Sequence, residues 1–187
     1  MPDVFDPRAN HGKRYVYHIS TSDVRDPLQR LYSWHLPPRH GRRWDLDAAY
    51  KGAAVLQNDF ARNFSAFANT PRGAERQRKI DPFCTLREVR VVQTSSTSVT
   101  ISFRADRFLY KMARNLVGAL VGAGYRELGI RELEQAITSG RFSHTDSPGL
   151  TAPAQGLFLE RVFYGENDPF RGHFDNELDD QDLHLDR

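Results

Sequence analysis

The chain has a single cysteine in 187 residues. Cys84 can close no disulfide within the chain and cannot build a cysteine-based zinc cluster. Lysine is also scarce: 4 of the 26 basic residues are Lys and 22 are Arg. No apolar run is long enough to span a bilayer. The longest such window, Phe108 to Gly124, is short and carries Lys111 and Arg114, so no membrane partner is expected. No apolar run near the start reads as a signal peptide, which sets the expectation of an intracellular protein, cytoplasmic by default with an organelle left open. The phosphate-binding pattern G-x-x-x-x-G-K-S/T does not occur, nor does the zinc-binding H-E-x-x-H. His11, His18, His35 and His40 are scattered rather than spaced as ligands, and no metal site is expected.

What is there is arginine, with an asymmetric distribution of charge. Residues 1–164 hold 24 basic and 16 acidic side chains, whereas 165–187 hold 2 basic and 8 acidic. The composition divides the chain into a basic folded domain, 1–164, and an acidic tail, 165–187, too poor in apolar residues to pack. A basic body suits polyanionic partners, and arginine suits bidentate phosphate contacts and stacking on bases. Simple solubility is the alternative.

Periodicity supplies the elements. "KRYVYHIST" alternates, with Tyr15, Tyr17 and Ile19 on one face, and reads as a strand. Asp45 is placed to cap a helix over "DLDAAYKGAAVLQN". "TLREVRVVQT" and "SVTISFRA" read as a hairpin, "GIRELEQAITSG" as a helix and "LFLERVFY" as a last strand. "RFLYKMARNLVGALVGAG" reads as a helix from Arg107, with Asp106 as its cap. Leu109, Met112, Ala113, Leu116, Val117 and Leu120 form its buried face, and Gly118 and Gly122 allow a close approach. The order strand, helix, strand, strand, helix, helix, strand predicts an α+β fold, a mainly antiparallel sheet with helices on one face.

Three segments are candidates for function. On a helix, Arg107, Lys111 and Arg114 would share one stripe, either solvated or at the lip of a cleft where Arg114 pairs with a carboxylate or phosphate. "GLTAPAQGLFLE" is apolar and glycine-bearing just before a strand. It would either line a pocket floor with backbone groups or pack tightly on the sheet. Tyr15 and Tyr17 lie near Arg8, Lys13 and Arg14, a setting that suits base stacking beside phosphates but is equally that of sheet cover. The basic segment "NTPRGAERQRKIDP", with Arg72, Arg76, Arg78 and Lys79, reads as an exposed loop, solvated or in contact with phosphates.

Four stretches resemble the C-terminal half of TruA-type tRNA pseudouridine synthases: "FDPRANHGKRYVYHI", "LQNDFARNFSAF", "RADRFLYKMARNLVGALVGAG" and "LTAPAQGLFLERVFY". The resemblance implies a pseudouridine synthase-like half-domain that acts on uridine in the anticodon arm of tRNA, without cofactor or metal. It implies Arg114 as partner of a catalytic aspartate and Tyr15 as the tyrosine stacking on the target base. Gly156 and Leu157 would line the uracil pocket, and Arg8, Lys13, Arg14, Arg107, Lys111 and the 72–79 arginines and lysine would meet RNA. It further implies tRNA as partner and self-association as a homodimer. The family's aspartate motif, R-T-D-x-G-V-H-A-like, does not occur, and Asp146 in "SHTDSPG" does not take its place. The second departure is in "NDFARNFSAF", which has two more residues between its phenylalanines than the family pattern. The chain is therefore expected to supply half a cleft and to make no pseudouridine alone, the other half coming from an aspartate-bearing segment. The alternative is a non-catalytic RNA-binding or structural subunit derived from such a synthase.

Overall fold

The structure, a computed structural model, describes residues 10–71, 80–142 and 151–164. Arg8, Arg72, Arg76, Arg78, Lys79 and the acidic stretch lie outside the described residues.

A long strand, β1 (Gly12–Ser20), organises the sheet. β2 (Trp34–His35) runs parallel to its end. α1 (Leu46–Leu56) follows, and the Asp45 carboxylate accepts the Ala48 amide at 3.2 Å, which supplies the expected cap. β3 (Arg62–Asn63) and β4 (Phe83–Cys84) form a separate two-stranded ladder. β5 (Leu86–Ser95) and β6 (Ser98–Ala105) are the expected hairpin. Two helices follow, α2 (Met112–Gly124) and α3 (Ile130–Ser139), then β7 (Leu157–Phe163). β1 lies between antiparallel partners, β6 on one side and β7 on the other, and β5 closes the far edge beyond β6. Among the described strands, only the β1–β2 pairing is parallel.

The alternation in β1 sets which face is covered. Tyr17 and Ile19 lie opposite Ile101 and Val99 of β6, and all four are buried in one core with Val89 and Val91 of β5. Leu56 of α1, Leu116 and Leu120 of α2 and Leu133 of α3 pack onto that same core. Burying each such side chain contributes about 1.5–3 kcal/mol relative to leaving it in water. The other face of the sheet carries Arg14, His18, Glu88, Arg90 and Thr100. This is the α+β arrangement with helices on one face that the residue pattern predicts.

The structure differs from the sequence expectation at α2. The helix begins at Met112, not Arg107. Lys111 adopts a left-handed conformation (φ 61°, ψ 8°), which stops a helix from running through it. Asp106 is therefore not the helix cap; its carboxylate accepts the Thr85 amide at 2.9 Å and the Arg107 amide at 2.7 Å, tying the end of β6 to the start of β5. Arg107 leaves the helix, and the stripe Arg107–Lys111–Arg114 does not form. The buried face is as expected, but burial extends all round: every residue of α2 except Arg114 is buried. The close approach falls at Gly124, where a Cβ would lie 2.1 Å from the Trp44 indole nitrogen. At Gly122 the nearest neighbour, Leu128, would be at an ordinary 3.4 Å. α3 ends where Gly140 turns left-handed (φ 73°) against the Asn63 side chain, a turn and a space that suit glycine alone.

Candidate active site

The first turn of α2 is strapped to the loop before β7. Arg114 donates from Nε to the Ala152 carbonyl at 2.6 Å, and the Ala152 amide donates back to the Arg114 carbonyl at 3.2 Å. The next residue, Asn115, is 2% exposed. Its amide donates to the Phe67 carbonyl at 2.8 Å and to Asn69 Oδ1 at 2.7 Å, and its Oδ1 accepts the Thr151 hydroxyl at 2.7 Å. A buried amide with its donors and its acceptor used is a rigid joint. It joins three segments: the helix, the turn after β3, and the loop before β7.

Tyr17 fixes the same loop from below. Its hydroxyl donates to the Pro153 carbonyl at 2.7 Å, and its ring packs directly on Gly156, where a Cβ would lie 2.6 Å from Cζ. Glycine at 156 is thus required by a close approach. Burial pushes the Tyr17 phenol above its ordinary value, with the nearby Arg114 guanidinium opposing the shift. In the described part of that loop, 151–156, Ala152 and Gly156 are buried, and the carbonyls of Ala152 and Pro153 accept from Arg114 and Tyr17.

Tyr15 lies two residues back on the same strand face and is half-buried. Its ring stands edge-on to Phe108, centroids 4.9 Å apart, and burial raises its phenol pKa. It faces Leu159 across the β1–β7 ladder, next to a bulge in which Glu160 is the extra residue. Bulges re-aim side chains next to functional sites. Leu157 lies opposite Tyr17 and packs on the edge of the core. Arg114, Tyr17, Gly156 and Leu157 are therefore brought together, with Tyr15 at the adjoining position. Among the described residues, no carboxylate forms an ion pair with Arg114.

Four other residues read as RNA contacts lie among the described residues. Arg14 points to the opposite face of the sheet, pairing with Glu88 at 3.2 Å and Glu160 at 3.7 Å. Arg107 bonds Asp81 at 2.6 Å and donates to the Phe83 carbonyl, so its guanidinium is occupied by its own fold. The Phe83 amide and Arg107 hold the Asp81 carboxyl below its usual range. Lys111 lies at the start of α2, its ammonium 5.5 Å from the Tyr110 ring centroid. Lys13 sits at the start of β1 between Ala105 and Val162. Asn58, in the "LQNDF" stretch, caps locally by donating to the Leu56 and Leu86 carbonyls. In that stretch Phe60 is exposed, while Phe64 and Phe67 fill the core. Among the described residues, no three His, Cys, Asp or Glu side chains converge to hold a metal. None of the described helices is long and apolar enough to cross a membrane.

Sequence reading missed the roles of Tyr17, Asn115 and Thr151. An asparagine in an otherwise apolar helix was the available signal: a polar side chain buried there needs partners.

Comparison with known proteins gives this geometry a family. Residues 60–165 match the family model described as tRNA pseudouridine synthase. The chain is 33% identical over 153 residues to tRNA pseudouridine synthase A 1 of Protochlamydia amoebophila, covering 81% of this chain and 55% of the relative. It is 34% identical over 168 residues to tRNA pseudouridine synthase A of Myxococcus xanthus (89% and 58%). It is 39% identical over 167 residues to that of Moorella thermoacetica (87% and 60%). The chain thus spans between half and two-thirds of the length of these relatives. The matched span takes in Arg114, Asn115 and the loop that straps them to β7, and on this match the chain belongs to the tRNA pseudouridine synthase family.

Proposed function

We propose that this chain forms the arginine-bearing half of a uridine-isomerising cleft acting on the anticodon arm of tRNA, and that it corresponds to the C-terminal half of its relatives. The observation that supports this is Arg114. A guanidinium on the one residue of α2 that is not buried is locked through Nε to a loop carbonyl, with no carboxylate paired to it among the described residues. A planar, permanently charged fork held in this way suits bidentate capture of a carboxylate.

The reaction requires no net oxidation. The C1′–N1 bond of uridine breaks, a C1′–C5 bond forms, the C5 proton leaves and N1 gains one. A carboxylate supplied from outside the described residues attacks the flipped base and is regenerated. Arg114 keeps that carboxylate ionised and aimed. Tyr15 stacks on the extruded base and assists removal of the C5 proton, while Leu157 and Gly156 wall the uracil. Lys13, Lys111, Arg8 and the basic segment 72–79 meet phosphates, and self-association as a homodimer completes the tRNA-binding surface.

The test is pseudouridine formation on unmodified tRNA. The chain alone is expected to be inactive, and turnover by it alone would overturn the half-cleft reading. With an aspartate-bearing half supplied, Arg114→Ala is expected to lower turnover on the order of 10²-fold with little change in tRNA affinity, the scale of losing one preorganised charged donor. If it instead weakens binding broadly and reduces the salt slope by about one unit, Arg114 is a phosphate contact and the chain is an RNA-binding subunit.

A further inference from the structure

Three consecutive residues of the loop before β7 are each held by a different anchor. The Thr151 hydroxyl donates to Asn115 Oδ1 at 2.7 Å. The Ala152 carbonyl accepts from Arg114 Nε at 2.6 Å, and the Ala152 amide donates to the Arg114 carbonyl at 3.2 Å. The Pro153 carbonyl accepts the Tyr17 hydroxyl at 2.7 Å. These anchors differ in kind. The loop meets Arg114 and Tyr17 with backbone groups, and every residue has a carbonyl. A loop shifted by one residue would still offer one to each of them. Only the bond at 151 uses a side chain of the loop, so it is the bond that fixes which carbonyl faces Arg114.

The Asn115 end of that bond cannot turn away. The Phe67 carbonyl can only accept, so it holds the Asn115 amide nitrogen at 2.8 Å and leaves Oδ1 toward Thr151. Asn69 Oδ1 accepts the same nitrogen at 2.7 Å, and the Asn69 backbone amide is tied to the Tyr110 carbonyl at 3.0 Å. Asn115 is nearly fully buried, so water does not readily compete. The branched Cβ of threonine restricts χ1, which presets the direction of its hydroxyl.

We propose that Thr151 is a positioning residue: acting through Asn115, it places the Ala152 carbonyl at Arg114 Nε and so sets where the guanidinium fork points. The inference rests on the cleft reading above. With Nε bonded to the loop, a bidentate partner meets the two terminal nitrogens, and the Nε bond sets their direction. A reacting group misplaced by about 1 Å can cost on the order of 10²-fold in rate.

The experiment follows the Arg114 Nε proton by NMR in the isotope-labelled full chain, its signal identified by its loss in Arg114→Lys. Thr151→Val keeps the shape of threonine and deletes the hydroxyl. Solvent exchange of the Arg114 Nε proton is expected to quicken roughly 10-fold in this variant, the scale of one hydrogen bond lost. Thr151→Ser restores the hydroxyl and is expected to return exchange close to that of the parent chain. The Arg107 Nε proton, bonded at 3.0 Å to the Phe83 carbonyl, is the internal control and is expected to stay unchanged. Thr151→Ala repeats the deletion without setting a methyl against the Asn115 amide, so a packing fault in the valine variant does not hide the result. Arg114 exchange indifferent to both deletions, equal quickening at Arg107, or a serine variant that behaves as the valine variant does would each overturn the proposal. Turnover tests the cleft reading separately. With the unmatched portion of the Myxococcus xanthus relative coexpressed, Thr151→Val is expected to lower kcat about 10-fold or more with little change in KM for tRNA. A loosened Arg114 with kcat unchanged would leave the positioning standing and refute the cleft reading. A lowered kcat with Arg114 exchange unmoved would do the reverse.

Discussion

Removing one oxygen from Tyr17 tests whether the strap at the candidate site is held as the structure shows. Tyr17→Phe keeps the ring against Gly156 and deletes only the hydroxyl that donates to the Pro153 carbonyl at 2.7 Å. Tyr17 is fully buried, so water does not readily replace the donor and the carbonyl loses a partner. The expected cost is about 1–3 kcal/mol, the range for leaving a buried acceptor unsatisfied. In a domain of this size each kcal/mol lowers the midpoint by about 2–4 °C. The pH dependence adds an independent readout. Burial raises the Tyr17 phenol above its ordinary value of 10.0, so the folded state keeps a proton that the unfolded state releases. The Tyr17 contribution to stability is therefore full below pH 10 and falls as pH rises above it. The variant should lose part of this alkaline decline, leaving the contributions of Cys84, whose thiol burial pushes up to about 11, and of Tyr15 and Tyr125, whose phenols are also raised. Urea unfolding at pH 7 and pH 10.5 measures both quantities. A loss below about 0.5 kcal/mol at pH 7, within the ordinary scatter of neutral substitutions, together with an unchanged alkaline limb, would refute the buried hydroxyl–carbonyl strap.

Asn115→Ala removes two donated bonds and one accepted bond at a buried joint. A loss of about 2–4 kcal/mol in urea unfolding is expected, since several buried groups lose their partner together. A loss under 1 kcal/mol would show that water substitutes for the amide. Lys111→Gly relieves a left-handed residue with a Cβ and is expected to stabilise the fold by up to about 1 kcal/mol. The same variant should lower tRNA affinity more strongly at low salt than at high salt if Lys111 meets phosphate, and filter binding across a salt series measures this. Arg107→Ala is expected to change tRNA affinity less than Lys111→Gly, because the Arg107 guanidinium is already bonded to Asp81 and the Phe83 carbonyl. The reverse order would mean that Arg107 exchanges its internal partners for RNA.

What the sequence revealed follows the range over which each feature is decided. The α1 cap, the β5–β6 hairpin and the two-residue period of β1 depend on neighbours within a few positions, and all three stand in the structure. The start of α2 was misjudged by five residues because apolar spacing continues through Leu109 while the backbone turns left-handed at Lys111, a conformation no composition signal marks in a lysine. β2, β3 and β4, each two residues long, carry no period to detect. The site is decided at the longest range of all. Arg114 and Ala152 are 38 residues apart, and Tyr17 and Pro153 are 136 apart. Strand alternation places Tyr15 and Tyr17 on one face but cannot say which of them lies beneath the returning loop. The register of β7 settles that: Leu157 falls opposite Tyr17, so the loop preceding it crosses the Tyr17 ring, and glycine at 156 is the residue that leaves room for the crossing. Tyr15, two pairs further along and beside the Glu160 bulge, is only partly buried. On the cleft reading proposed above, the two tyrosines divide the work: Tyr17 holds the loop in place through the Pro153 carbonyl, and Tyr15 is the one left to meet the base.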